Sequence, residues 1–363
     1  MIVTVASAWY GRSQEAAALD TATGDAHDLA MNDTDPWLPD DPSKLLQADP
    51  GRREPISFES DGNLLAGHLY RPPQAASGES TPGIVMTGPV SSVKEQTLPH
   101  YAERFADAGY TVLTFDPRGF GESEGEPRFH YDPWQIVSDY VNAAAYLMTR
   151  DEVDPQQVAV VGVCMGGGYA LATAARERRL AACVSIAGGY DIGGTFQRVM
   201  GAEGLAAYMR LANELHDRQR RSGEFQYIPT VAKELNDDVP VAIMPLPEAY
   251  SYYQRTSRDH APTWSAKTTA ASLEPYLTFN AISQAPLVAP TPLLIVHGTT
   301  DVALLPELAQ AAYDAAVGPK ELIWIETHNH IELYDQDPYV SEAVGNVLRW
   351  LDRVVATPSG AAT

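Results

Sequence analysis

The chain is 363 residues long and sets 25 Lys and Arg against 47 Asp and Glu, a net charge of −22. Without a basic run it cannot neutralise a phosphate backbone or an anionic lipid surface, so nucleic acid and membranes are excluded as partners and a small-molecule substrate is expected. No stretch of about eighteen apolar residues is present to span a bilayer. Two cysteines cannot frame a disulfide scaffold, which points to a reducing cytoplasm.

Residues 1–50 carry nine acidic residues against Arg12 and Lys44, and "DTDPWLPDDP" breaks any periodicity. They read as an acidic N-terminal arm, anchored through Trp9, Trp37 and Leu38. The first residues lack the basic start of a signal peptide. From residue 55 the pattern becomes regular. "PISFES" and "NLLAGHLYRP" flank Asp61-Gly62, as in an antiparallel pair closed by a tight turn. "GIVMTG" is a buried strand, and "HYAERFADAG" is a helix stopping at Gly109. "YTVLTFD" is the next strand. The helix in "WQIVSDYVNAAAYLMTR" sets Ile136, Tyr140, Ala143 and Leu147 on one face. "QVAVVGV" and "AACVSIAG" are strands separated by a helix that opens at Met165. Later come the strand "PLLIVHG", the helix "LPELAQAAYDAA", the strand "KELIWIET" and a last helix burying Ala343, Val347 and Trp350. Apolar strands alternating with amphipathic helices imply an α/β fold with a mostly parallel sheet flanked by helices.

Residues 191–285 separate two strands by far more than such connections need. They contain the helical, Tyr- and Met-rich stretches "GLAAYMRLANELHDRQRR" and "EAYSYYQRTSRDH". The expected organisation is therefore an arm at 1–50, a core at 51–190 and 286–356, a helical cap at 191–285 and a flexible tail at 357–363.

Chemistry concentrates at "VGVCMGGGYA". Gly162-Val163-Cys164-Met165-Gly166 fits the pattern G-x-S-x-G with Cys in the serine position. Glycines flank such a residue because side chains would clash on a sharp strand-to-helix turn. The turn lifts Cys164 to a helix N-terminus, which favours thiolate. It also aims the Met165 amide where an oxyanion would form. Cys183, inside a buried strand, reads as a small core residue.

A thiol nucleophile needs a base, and the base needs a carboxylate to orient it. Asp301 follows the strand ending at Gly298. His328 and His330 follow the last long strand, and their alternation cannot choose between them. The other histidines lack metal-ligand spacing, and neither a phosphate-binding nor a dinucleotide-binding glycine motif is present, so no metal or cofactor is expected.

Residues 55–355 resemble the α/β-hydrolase fold, in its dienelactone-hydrolase-like branch. The likeness rests on "VKEQTLPHYAERFADAGYTVLTFDPRGFGESEGEPR", "VGVCMGGGYA" and "PKELIWIETHNHIELYD". The resemblance implies that His330, which precedes the x-x-L-Y-D run, is the base, and that a cysteine nucleophile is in keeping. It places the second oxyanion donor in the loop after the third strand, where Pro89 has no N–H, so Val90 and then Ser91 are the candidates. "DPRGFGESEGEPR" is expected to be mostly structural, with Arg118 pairing with carboxylates; an approach of Glu122 or Glu124 to Cys164 is the minor alternative.

The expected activity is cleavage of an ester, lactone or thioester of moderate size and largely apolar character through Cys164, His330 and Asp301. The alternatives are a lyase or cyclase of the same fold that tailors a polyketide-like metabolite, for example by eliminating acetate, and a binding module on the same scaffold. Homo-oligomerisation is left open.

Overall fold

The computed structural model describes residues 35–73, 80–236 and 238–355. Trp9 and the 357–363 tail fall outside them. Strands β1 (Glu54–Ser60) and β2 (Asn63–Tyr70) form the antiparallel hairpin. Its two turn residues, Asp61 and Gly62, have φ of 48° and 84°. Two positive φ angles in succession match the right-handed twist of the strands they join.

The chain then runs through β3 (Thr81–Thr87), α1 (Leu98–Asp107), β4 (Thr111–Phe115), α2 (Pro133–Met148), β5 (Val153–Val163), α3 (Met165–Ala174) and β6 (Ala182–Ile186). It closes with β9 (Leu293–Gly298), α7 (Pro306–Ala315), β10 (Lys320–Ile325), the short α8 (Glu332–Asp335) and α9 (Tyr339–Val354). The eight-stranded sheet has the order β1-β2-β4-β3-β5-β6-β9-β10. β2 is antiparallel to both its neighbours, and every pairing from β4 to β10 is parallel. Every residue of β4, β6 and β9 is buried. Strands covered on both faces cannot alternate apolar with polar residues, which is why they read as continuous apolar runs.

Between β6 and β9 lie α4 (Ile192–Ser222), β7 (Tyr227–Pro229), α5 (Pro247–Asp259), β8 (Lys267–Thr269) and α6 (Leu273–Leu277), with β7 and β8 pairing as a separate two-stranded sheet. α4 kinks at Gly201, whose φ of 76° interrupts the helix. The aromatic residues here mostly serve this segment's own interior: Phe196 packs on Tyr208 and Tyr276, and Tyr253 stacks on Trp264.

Residues 35–50 lie on their own body. The Leu46 amide donates to the Asp335 carbonyl at 2.8 Å, Asp337 donates to Lys44 at 2.8 Å, and Gln336 donates to the Trp37 carbonyl at 2.9 Å. Among the described residues, no helix is long and apolar enough to cross a membrane.

Candidate active site

β5 is the central strand of the parallel half of the sheet, and Cys164 sits one residue beyond its end with φ 59° and ψ −126°. A residue with a side chain rarely adopts that region, and such strain persists only where the surroundings enforce it. Here the Cys164 amide donates to the Ile186 carbonyl at 2.9 Å, and the Cys164 carbonyl accepts from Gly167 at 2.8 Å and Gly189 at 3.0 Å. The flanking glycines are obligatory. A Cβ on Gly162 would lie 1.8 Å from the Gly166 carbonyl oxygen, and one on Gly166 would lie 2.2 Å from the Thr87 oxygen. The chain therefore turns directly from strand into α3 with the sulfur at the helix N-terminus. Cys183 is fully buried within β6, where burial pushes its thiol far above the usual range.

Three loops at the same end of the sheet meet at this turn. Asp301, after β9, receives the Ala303 and Leu304 amides on Oδ1 at 2.9 and 2.7 Å, leaving Oδ2 to face His330 Nδ1 at 2.6 Å. His330, after β10, is 4 % exposed. Burial alone would drive its ring toward neutrality. The Asp301 carboxylate and the Cys164 sulfur outweigh that penalty and hold the imidazolium well above the ordinary histidine range. His330 Nε2 also lies 3.1 Å from the Tyr334 hydroxyl, which itself faces Cys164. His328 points elsewhere. Its side chain is 76 % exposed and pairs with Glu332 at 3.2 Å.

Cys164 and His330 open onto a mostly apolar pocket between the sheet and the 191–285 segment, with Met165, Phe196, Ile243 and Met244 among its lining. Glu248, in the first turn of α5, also lines it. Burial pushes the Glu248 carboxyl up to about 7, with His330 opposing and Asp301 and Glu332 adding to the rise.

The loop after β3 is bound to this turn, because the Gly166 amide donates to the Gly88 carbonyl at 3.0 Å. Val90 is fully buried, and its carbonyl accepts the Tyr253 hydroxyl at 2.7 Å. Ser91 has φ 55° and a buried, unpartnered hydroxyl. Among the described residues, no hydrogen bond engages the Val90 or Met165 amide. The same loop is pinned from beneath by Lys94, 1 % exposed, whose Nζ contacts Asp116, Glu122 and Glu95 at 2.8, 2.7 and 2.9 Å. Neither candidate glutamate of the 116–128 stretch turns toward the sulfur: Glu122 is held by Lys94, and Glu124 accepts the Leu64 amide at 2.8 Å. Arg118 pairs with Asp139 and Asp61 at 2.6 and 3.0 Å.

A sequence profile of the X-Pro dipeptidyl-peptidases (S15 family) matches residues 61–332. The chain belongs to that family. This S15-family chain is 30% identical over 80% of its length to the uncharacterised protein YcjY of Escherichia coli K12, spanning 95% of that protein. It is also 30% identical over 74% of its length to the thiohydrolase aneE of Aspergillus aculeatus, spanning 83% of it. The crystal structure of the α/β hydrolase GrgF from Penicillium sp. sh18 is 27% identical and superposes with a TM-score of 0.71, covering 84% of this chain and 99% of that one. The fold of this S15-family member is that of the α/β hydrolases, and the protein is an enzyme of that fold.

Two pocket residues escaped the sequence reading. Glu248 follows Pro247 at the start of a helix, where an acid ordinarily serves the helix dipole. Tyr334 lies inside the very run that marks His330, yet a tyrosine there reads equally as core.

Proposed function

We propose that this enzyme cleaves an acyl thioester or ester through Cys164 as nucleophile, His330 as base and acid, and Asp301 as the group that orients His330. The observation that carries the reading is the strained Cys164 at the N-terminus of α3, facing a His330 ring whose other nitrogen is 2.6 Å from Asp301. Attack by the sulfur on the acyl carbon forms a tetrahedral oxyanion, for which the Met165 and Val90 amides are the candidate donors. Collapse expels the leaving group, which takes its proton from the His330 imidazolium. His330, now neutral, draws a proton from water as that water attacks the acyl carbon; the new C–O bond forms, the C–S bond breaks, and the acid leaves Cys164 free.

A thioester suits this chemistry better than an amide. Exchanging one sulfur for another on the acyl carbon is nearly balanced in energy, whereas an amide nitrogen must be protonated before it can leave. The thiohydrolase name of aneE supports the same class, and the apolar pocket supports a largely hydrocarbon acyl group. The use of a thiol aligns the chain with dienelactone-hydrolase-like chemistry, and a reducing cytoplasm would keep that thiol free.

Rapid mixing with an activated acyl thioester, followed by intact-protein mass spectrometry, tests the reading. One acyl group is expected on Cys164 and none on Cys183, and Cys164→Ala is expected to abolish both adduct and turnover. Full turnover by Cys164→Ala would remove the thiol from the mechanism. Water labelled with heavy oxygen separates the rivals: hydrolysis places the label in the acid product, whereas elimination by C–O cleavage leaves it out.

A further inference from the structure

Glu248 is unusual among the charged residues of this molecule. It is 2 % exposed, and neither carboxyl oxygen has a hydrogen-bond partner. The His330 amide comes near without reaching hydrogen-bond geometry. Buried carboxylates elsewhere in the fold are answered: Asp116 by Lys94, Asp139 by Arg118, Asp335 by Arg255 at 2.6 Å. A buried polar group without a partner costs about 1–3 kcal/mol, and an ionised one more. The cost at Glu248 falls on a side chain that lines the same pocket as Cys164 and His330. Leu246, Ala249, Ile243 and Met244, which line the same pocket, carry no polar side-chain group.

We propose that Glu248 is the specificity group of the pocket: as a neutral carboxylic acid it donates a hydrogen bond to a hydroxyl or ketone oxygen carried on the acyl chain of the substrate. This rests on the acyl-cleavage reading above and narrows it, from apolar acyl groups in general to acyl groups oxygenated along the chain.

The neutral form follows from the surroundings. An ionised carboxylate matched to a substrate cation would need further donors on its remaining lone pairs, and neither oxygen has a hydrogen-bond partner. The N-terminus of α5 favours charge by at most about 1–2 kcal/mol. Burial outweighs it and leaves the carboxyl balanced near pH 7 in the free enzyme. Filling the pocket with an apolar chain removes the remaining water and tips that balance to the acid. An oxygenated chain then completes an otherwise unmade bond. A plain chain leaves it unmade, and sites that leave a buried polar group unpaired reject the lacking analogue strongly.

The test uses a panel of matched acyl thioesters of equal length, plain or bearing one hydroxyl or ketone at successive positions, with the wild type, Glu248→Gln and Glu248→Leu. Wild type is expected to favour one oxygenated member at least about tenfold in kcat/KM. Gln, whose amide also donates, is expected to retain most of that ratio, and Leu to bring it close to one. Calorimetric binding of the corresponding non-hydrolysable acyl amides to the same three proteins gives the ratio in Kd, independent of turnover. A panel in which no oxygenated member is favoured, or a ratio that Glu248→Leu leaves intact, overturns the assignment. Loss of the thiol mechanism would instead show in Cys164→Ala turnover and leave the Kd ratio unaffected.

Discussion

At the scale of single residues, the site is a set of charges that burial disfavours and neighbours restore. His330 is the plainest case. Burial opposes its charge while Asp301 and Cys164 favour it. Asp301→Asn is therefore expected to lower the His330 pKa. Followed by NMR titration of the ring, the His330 midpoint should move down in Asp301→Asn, while His328→Ala should leave it unchanged. Equal shifts in both variants would show that His328 bears on the ring as strongly as Asp301 does. Glu248 works in the other direction. Its carboxyl rises from 4.5 to about 7 on folding, so the folded state keeps a proton that the unfolded chain releases. Stability must then fall as pH rises through that window, and the deficit is complete above pH 7. Glutamine carries no such proton. The stability of Glu248→Gln relative to wild type should grow by about 3 kcal/mol between pH 4.5 and pH 8, followed by urea unfolding at each pH. A difference that stays flat with pH would show that the carboxyl is ionised throughout.

At the scale of elements, the loop after β3 carries more of the design than its short length implies. Lys94 draws together Asp116 from the end of β4, Glu95 beside it and Glu122 from the following loop. The Lys94 amide also donates to Asp116 at 2.7 Å, so both ends of this residue grip one carboxylate. Lys94→Met should cost about 3–5 kcal/mol, because it leaves Asp116 buried and charged. Adding Asp116→Asn should recover part of that loss, and the absence of any recovery would show the charges to be uncoupled. Such pairings mark the boundary of what the sequence makes legible. The strands, the Asp61-Gly62 turn, the stop at Gly109 and the glycine-flanked Cys164 were readable because each depends on residues within one turn or one strand. The positions after the strands ending at Gly298 and Ile325 were readable because those strands are themselves recognisable, whereas only the resemblance separated His330 from His328. Lys94 with Asp116, Tyr253 with Val90 and Glu248 with the pocket were not. Each joins residues 22 or more positions apart, and no local period encodes such contacts. The start of β5 at Val153 also lay beyond reach, since Asp154-Pro155-Gln156 has the composition of a turn.

At the scale of the whole molecule, α5 is fastened to the body by polar bonds from consecutive turns. Tyr252 meets the Thr97 amide at 2.8 Å, Tyr253 donates to Val90, Arg255 pairs with Asp335, and Thr256 accepts from Gln96 at 2.7 Å. Three of these four partners lie in the loop after β3, and Asp335 lies five residues beyond His330. Tyr253→Phe removes one bond, worth about 1 kcal/mol, to the residue assigned as oxyanion donor. A fall of several-fold in kcat with little change in KM is expected. A change confined to KM would place Tyr253 among groups that serve binding alone.

These attachments have a consequence for motion. Glu248 and the bonds that hold Val90 and Thr97 sit on one helix, so any displacement of that helix would also strain the loop after β3. One helix thus couples the wall of the pocket to the loop beside Cys164.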